Sequence, residues 1–207
     1  MGTWDSGLLD NDSAADAIGD VMSTIASDAA AGGKGAWTKD RAVRFCAQLA
    51  LLVRFHPWFF EDDGDKHASQ LRDLLCANRT LLDEAAPNAK TLFDNIVRGV
   101  SLDDPPPFQA LLQGQAARSY LQKLADEFID EVEGDLEHAG AYLALLCFLA
   151  PHVDLPGKTV RHWHRRIREV WSEADDEERE FVLPYVRAYK KLVEAAGENN
   201  DDEQDDE

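Results

Sequence analysis

The sequence predicts an all-α protein: a helical bundle of about seven to nine helices, followed by a disordered acidic tail. Three observations carry this reading. Apolar residues recur at spacings of three and four in nearly every segment, as in Ala14, Ile18, Val21, Met22, Ile25 and Ala29. No alternating strand pattern of useful length interrupts them. Glycines and prolines punctuate the chain between the periodic stretches. With 207 residues, 44% of them apolar, the chain can bury a real core, read here as one domain over 1–197.

The elements follow in order. Asn11-Asp12-Ser13 offers an N-cap for the first helix, and Gly32-Gly33-Lys34-Gly35 ends it. Thr38 caps a second helix over 38–54. Its part over 46–53 is apolar nearly all round, which marks the central buried helix. His56-Pro57-Trp58-Phe59-Phe60 breaks it with an aromatic loop. A third helix is expected over 65–85, stopped by Pro87, and a short one with Leu92, Phe93, Ile96 and Val97 runs to Gly99. Asp103-Asp104-Pro105-Pro106-Pro107 removes three amide donors in a row and favours an extended segment. A sub-boundary between two half-domains near 103–107 is therefore the alternative to one undivided domain.

The second half resumes with a long amphipathic helix over 108–134, striped by Leu121, Leu124, Ala125, Phe128, Ile129 and Val132. A second strongly apolar helix covers 137–150. Thr159 caps a helix over 159–174 that carries two tryptophans. Asp175 and Glu178 stand at capping-box spacing for the last helix, in which Pro184 predicts a kink or a restart. Residues 198–207 hold seven acids, no base and no apolar residue, the composition of a disordered tail.

Charge narrows the function classes. The chain carries 21 Lys and Arg against 40 Asp and Glu, a net charge of −19. Setting aside the tail's seven leaves the body near −12. Such a polyanion repels nucleic acid and anionic membrane surfaces. The ten-residue apolar run over 141–150 falls short of the roughly 20 residues that span a bilayer. The first twenty residues hold acids and no base, unlike a secretory signal. Cys46, Cys76 and Cys147 cannot all pair and sit in apolar helical contexts, so they read as buried free thiols in a reducing cytoplasm.

No catalytic constellation is visible, and no cofactor or metal is implied. Pro156-Gly157-Lys158-Thr159 has the end of a phosphate-binding loop, but His152 stands where that motif needs glycine and no strand precedes it. His162 and His164 lie about 200° apart on a helix, which is wrong for a metal pair. The acids around Gly64 would put Phe59 at the first position of a calcium loop. Two features do point to binding. Arg161, Arg165 and Arg168 recur at four and three on the face opposite Val160, Trp163, Ile167, Val170, Trp171 and Ala174. This stripe, flanked by Arg166, either pairs with acids at 175–180 or in the tail, or forms a partner-binding surface. Trp58 and Phe59 either plug the end of the bundle or anchor a protein partner, as aromatics do at interface hot spots.

The opening residues, Met1-Gly2-Thr3-Trp4-Asp5-Ser6-Gly7 through Asn11, Asp12, Ala14 and Asp16, resemble the start of the DUF4259 family of bacterial proteins. The resemblance covers the first sixteen residues and implies no activity. Physically, Gly2 and Gly7 permit turns, Trp4 can dock on a core, and Asn11 or Asp12 caps the first helix.

These features favour a non-enzymatic, cytoplasmic protein-binding module, of bacterial immunity or antitoxin type, that docks on a basic protein partner. The alternative is a divalent-cation-dependent enzyme or ligand-binding bundle in which Asp12, Asp16, Asp62 and Asp63 converge on the metal. A third view makes the acidity a high-salt adaptation.

Overall fold

The computed structural model describes residues 8, 12–32, 35–61, 65–99, 111–112, 114–134 and 139–197, and the side chains of all of these except 133 and 134. Among them the chain is all-α, as the periodicity predicts, with nine α-helices, two short 3-10 turns and no strand. No helix of the described residues is long and apolar enough to cross a membrane. Two compact units result: residues 18–121, and residues 1–17 together with 122–207. The Pro-rich segment at 103–107 and the tail at 198–207 lie outside the described residues.

Helix α1 (Asp12–Ala31) buries Ile18, Met22, Ile25 and Ala29 in the first of these units. Helix α2 (Lys39–Phe55) starts at Thr38, whose hydroxyl accepts from the Arg41 amide at 3.3 Å. Every residue from Phe45 to Val53 is buried, so α2 is the central helix, as its all-round apolarity predicts. The expected helix over 65–85 is two helices, α3 (Lys66–Ala77) and α4 (Arg79–Ala85). Asn78 makes the break. Its side-chain amide donates to the Leu74 carbonyl at 2.9 Å, competing locally with the helical ladder. Helix α5 (Lys90–Arg98) stops at Gly99, whose φ of 64° is the left-handed C-cap that glycine supplies. Arg79 pairs with Asp83 of its own helix at 2.8 Å and ties α4 to α5 through Asp94 at 2.7 Å.

Helix α6 (Gln115–Gly134) begins seven residues later than the expected 108, because Gly114 takes a left-handed φ of 102°. Beyond Leu121 it belongs to the second unit, with α7 (Ala139–Leu149), α8 (Gly157–Glu173) and α9 (Asp176–Ala195). Gln122 joins α6 to the chain entering α8: its amide donates to the Asp154 carbonyl at 3.0 Å and accepts from the Asp154 amide at 2.8 Å. Leu8 is fully buried, and its carbonyl lies against Gly140 of α7, where a side chain would collide with it. The Cys147 thiol of α7 donates to the Ala188 carbonyl of α9 at 3.6 Å.

Helix α8 starts two residues before Thr159, which therefore sits inside its first turn and does not cap it. Helix α9 runs unbroken through Pro184, so neither a restart nor a new helix occurs there. The amide that Pro184 lacks would have faced the carbonyl of Glu180, an exposed residue that water can reach.

Candidate functional site

Helices α8 and α9 form an antiparallel hairpin. Near its base, the Trp163 and Tyr189 rings pack at 6.0 Å and both residues are buried. The same inner stripes continue toward the connecting turn as Val170 on α8 and Phe181 and Val182 on α9. There the cover ends. Val170 is 52% exposed and Phe181 66% exposed. These residues floor a cleft of about 620 Å³ whose rim carries Glu173, Glu177 and Glu178.

Local sequence holds this end in shape. The Asp175 carboxylate accepts from the Glu178 amide at 3.0 Å, and the Glu178 carboxylate accepts from the Asp175 amide at 3.1 Å. Arg179 reaches back over the Trp171 ring at 5.5 Å and donates to the Trp171 carbonyl at 3.4 Å. Glu173 and Glu177 form no ion pair among the described residues. The cleft is therefore apolar at its floor and negative at its rim, with its turn fixed in advance.

The hairpin is segregated in charge. Between 158 and 168 it has five bases and no acid, and between 169 and 180 seven acids and one base. Arg161, Arg165, Arg166 and Arg168 are all exposed, and among the described residues none is paired with a carboxylate. The acids at 175–180 do not cover them: they lie at the opposite end of α8, where Arg179 takes Asp176 at 3.6 Å. Along the stripe, burial lowers the His164 pKa, and the positive charges of Arg168 and Lys190 lower it further.

The aromatic loop divides. Trp58 is 65% exposed, as an anchor would be. Phe59 is buried, and its place as a partner contact is corrected: its ring packs edge-on against Phe60 at 4.9 Å and His56 at 5.6 Å, so it holds the turn. Cys46 and Cys147 are buried, but Cys76 is exposed, because the polar face of α3 carries it outward. Burial pushes the Cys46 thiol up to about 12. Asp12 and Asp16 are exposed, while Asp62 and Asp63 lie outside the described residues. Among the described residues no group of three or more His, Cys, Asp or Glu could hold a metal ion.

No family model, curated protein or solved structure matches the chain. The site therefore rests on its own geometry. Sequence reasoning placed Val170, Trp171 and Ala174 on a core-facing stripe and overlooked Phe181. Ala174 is buried, whereas Val170 and Trp171 emerge at the far end. The available signal was Phe181 inside a run of acids, an apolar side chain with a charged rim already around it.

Proposed function

We propose that the chain is a non-enzymatic protein-binding module whose α8/α9 cleft docks a basic, amphipathic helical segment of a protein partner. The observation that carries this is Phe181, 66% exposed on the floor of an acid-rimmed cleft. A large exposed apolar side chain in a concave, polar-rimmed setting marks an interaction surface. An amphipathic helix would lay its apolar stripe on Val170, Phe181 and Val182 and set its Lys and Arg against Glu173, Glu177 and Glu178. Residues 198–207 have the wrong sign for this rim, with seven acids and no base.

A bacterial immunity or antitoxin-type protein that blocks a basic toxin is the form of this function that the charge favours. Its acids stand where such a toxin expects phosphates, and steering by a −19 chain makes association fast and salt-sensitive. The same charge supports a protein that binds neither nucleic acid nor anionic membrane, and three unpaired cysteines support a reducing cytoplasm.

Calorimetric titration with two amphipathic helical peptides tests the reading. They share one leucine stripe and differ in carrying lysines or glutamates beside it. The lysine peptide is expected to bind and to weaken with salt, and the glutamate peptide is not. Equal binding of both, or of neither, overturns the reading.

A further inference from the structure

The outer face of α8 carries Arg161, Arg165 and Arg168, with Arg166 beside them, all exposed and none paired with a carboxylate among the described residues. Standing four and three apart on one face, the first three repel one another. Arg161 folds back over the first turn of α8, its guanidinium 3.3 Å from where a Cβ on Gly157 would be. The helix macrodipole is positive there, and that turn holds no acid to offset it. On α9, Lys190 extends the same field: with Arg168 it deepens the lowering of the His164 pKa that burial begins. A patch of this kind calls for an anionic counterpart.

The hairpin brings one to it. Trp163 meets Tyr189 in an antiparallel pair, so Ala195 at the end of α9 is level with Gly157 at the start of α8, each of them six residues away from that contact. Measured along α8 from Gly157, Arg161 stands about 6 Å, Arg165 about 12 Å and Arg168 about 16 Å away, at roughly 1.5 Å per residue. The ten residues that follow Gly197 hold seven acids and no base. Extended, ten residues reach about 33 Å. That covers the stripe even after the chain has crossed α8, which is about 10 Å wide. The acids at 175–180, by contrast, lie at the opposite end of α8. Joined to α9 by so short a link, the acids after Gly197 meet the stripe at an effective concentration on the order of millimolar, which a separate acidic partner does not match.

We propose that residues 198–207 dock along the Arg161, Arg165 and Arg168 stripe and close it to acidic partners. Carboxylates of the segment take the guanidiniums by charge-assisted hydrogen bonds. The contact is autoinhibitory for this face alone. The acid-rimmed cleft around Phe181 has the wrong sign for the segment, so neither this inference nor the docking reading falls with the other.

The test uses the full chain, labelled with nitrogen-15 and read by paramagnetic broadening. Gln204→Cys keeps all seven acids and takes a nitroxide label. Cys76→Ser removes the exposed thiol, while Cys46 and Cys147 are buried. At low salt the backbone amides at 161, 165 and 168 are expected to lose at least half their intensity. The loss should be reversed in about 0.5 M salt, which shortens electrostatic reach to a few ångströms. It should also be reversed when Arg161, Arg165 and Arg168 are all changed to glutamine, at exposed positions where substitution leaves the fold intact. A mixture of spin-labelled chain without nitrogen-15 and nitrogen-15 chain without the spin label should show no loss. Amides that keep their intensity at low salt, or a loss undiminished at high salt or in the triple variant, overturn the proposal. So does broadening in the mixture as strong as within one chain, which assigns the segment to the stripe of a second copy.

Discussion

Phe181 and Tyr185, one turn apart on α9, hold their rings 5.9 Å from each other at 38°, and the edge of the core runs between them. Tyr185 is half-buried and burial raises the pKa of its phenol, whereas Phe181 is exposed. Substitutions at the two positions should therefore separate. Phe181→Ser is expected to change folding stability by less than about 1 kcal/mol, as at most surface sites. Tyr185→Ser should cost about 2–3 kcal/mol through lost packing. Urea midpoints of the two variants check this.

Gly140 stands where the Leu8 carbonyl crosses α7, and the Tyr185 hydroxyl lies 3.2 Å from the position a Cβ would take. Helix propensity alone predicts that Gly140→Ala stabilises by up to about 1 kcal/mol. The collision reverses the sign: the chain passing at Leu8 must move, at a cost of about 1–3 kcal/mol. Thermal unfolding of Gly140→Ala decides between the two, and a raised midpoint would show that Leu8 is held elsewhere.

The capping box at the hairpin turn predicts a non-additive pair. Asp175→Ala should cost about 1 kcal/mol, since it frees the Glu178 amide. Adding Glu178→Ala should cost less than the sum of the single changes, because both belong to one reciprocal bond pair. A double-mutant cycle by urea unfolding measures the coupling.

Stability should fall at alkaline pH. Burial raises the Cys46 thiol from 9.0 to about 12, and burial, with Tyr185 nearby, raises the Tyr189 phenol from 10.0 to about 12 against the opposing charge of Arg166. Both groups hold their protons more tightly folded than unfolded. Their contribution is complete below pH 9, the lower of the two unfolded values, and is lost as pH rises toward 12. Urea midpoints followed across that window should decline steadily. In the native protein a thiol reagent should label the exposed Cys76 alone, and all three cysteines only after unfolding.

Much of this fold can be read from the sequence because its helices carry their own signals. Thr38, Gly99 and the Asp175–Glu178 pair mark ends through local bonds that spacing reveals. The break at Asn78 was harder to foresee, since the asparagine amide turns inward onto Leu74 within an otherwise continuous pattern. The start of α6 depends on the left-handed backbone of Gly114, which the apolar stripe does not register. The site was less readable for a general reason. Periodicity shows which side of a helix is apolar, but not how far along the helix a neighbour covers it. Trp163 and Val170 belong to one stripe, yet one is 7% and the other 52% exposed. Likewise Phe59 and Trp58 are adjacent aromatics, and only tertiary packing sends one inward.

The account's central claim is that the acid-rimmed cleft around Phe181 is a docking surface for a basic amphipathic helix. Its most direct test is the binding isotherm of the lysine-bearing helical peptide, by fluorescence anisotropy, on the wild-type chain and on Phe181→Ser side by side. Loss of a central apolar anchor predicts affinity at least about tenfold weaker, a hot-spot effect above 1 kcal/mol, in a variant that unfolds at nearly the wild-type urea midpoint. Superimposable isotherms for the two proteins would contradict the claim.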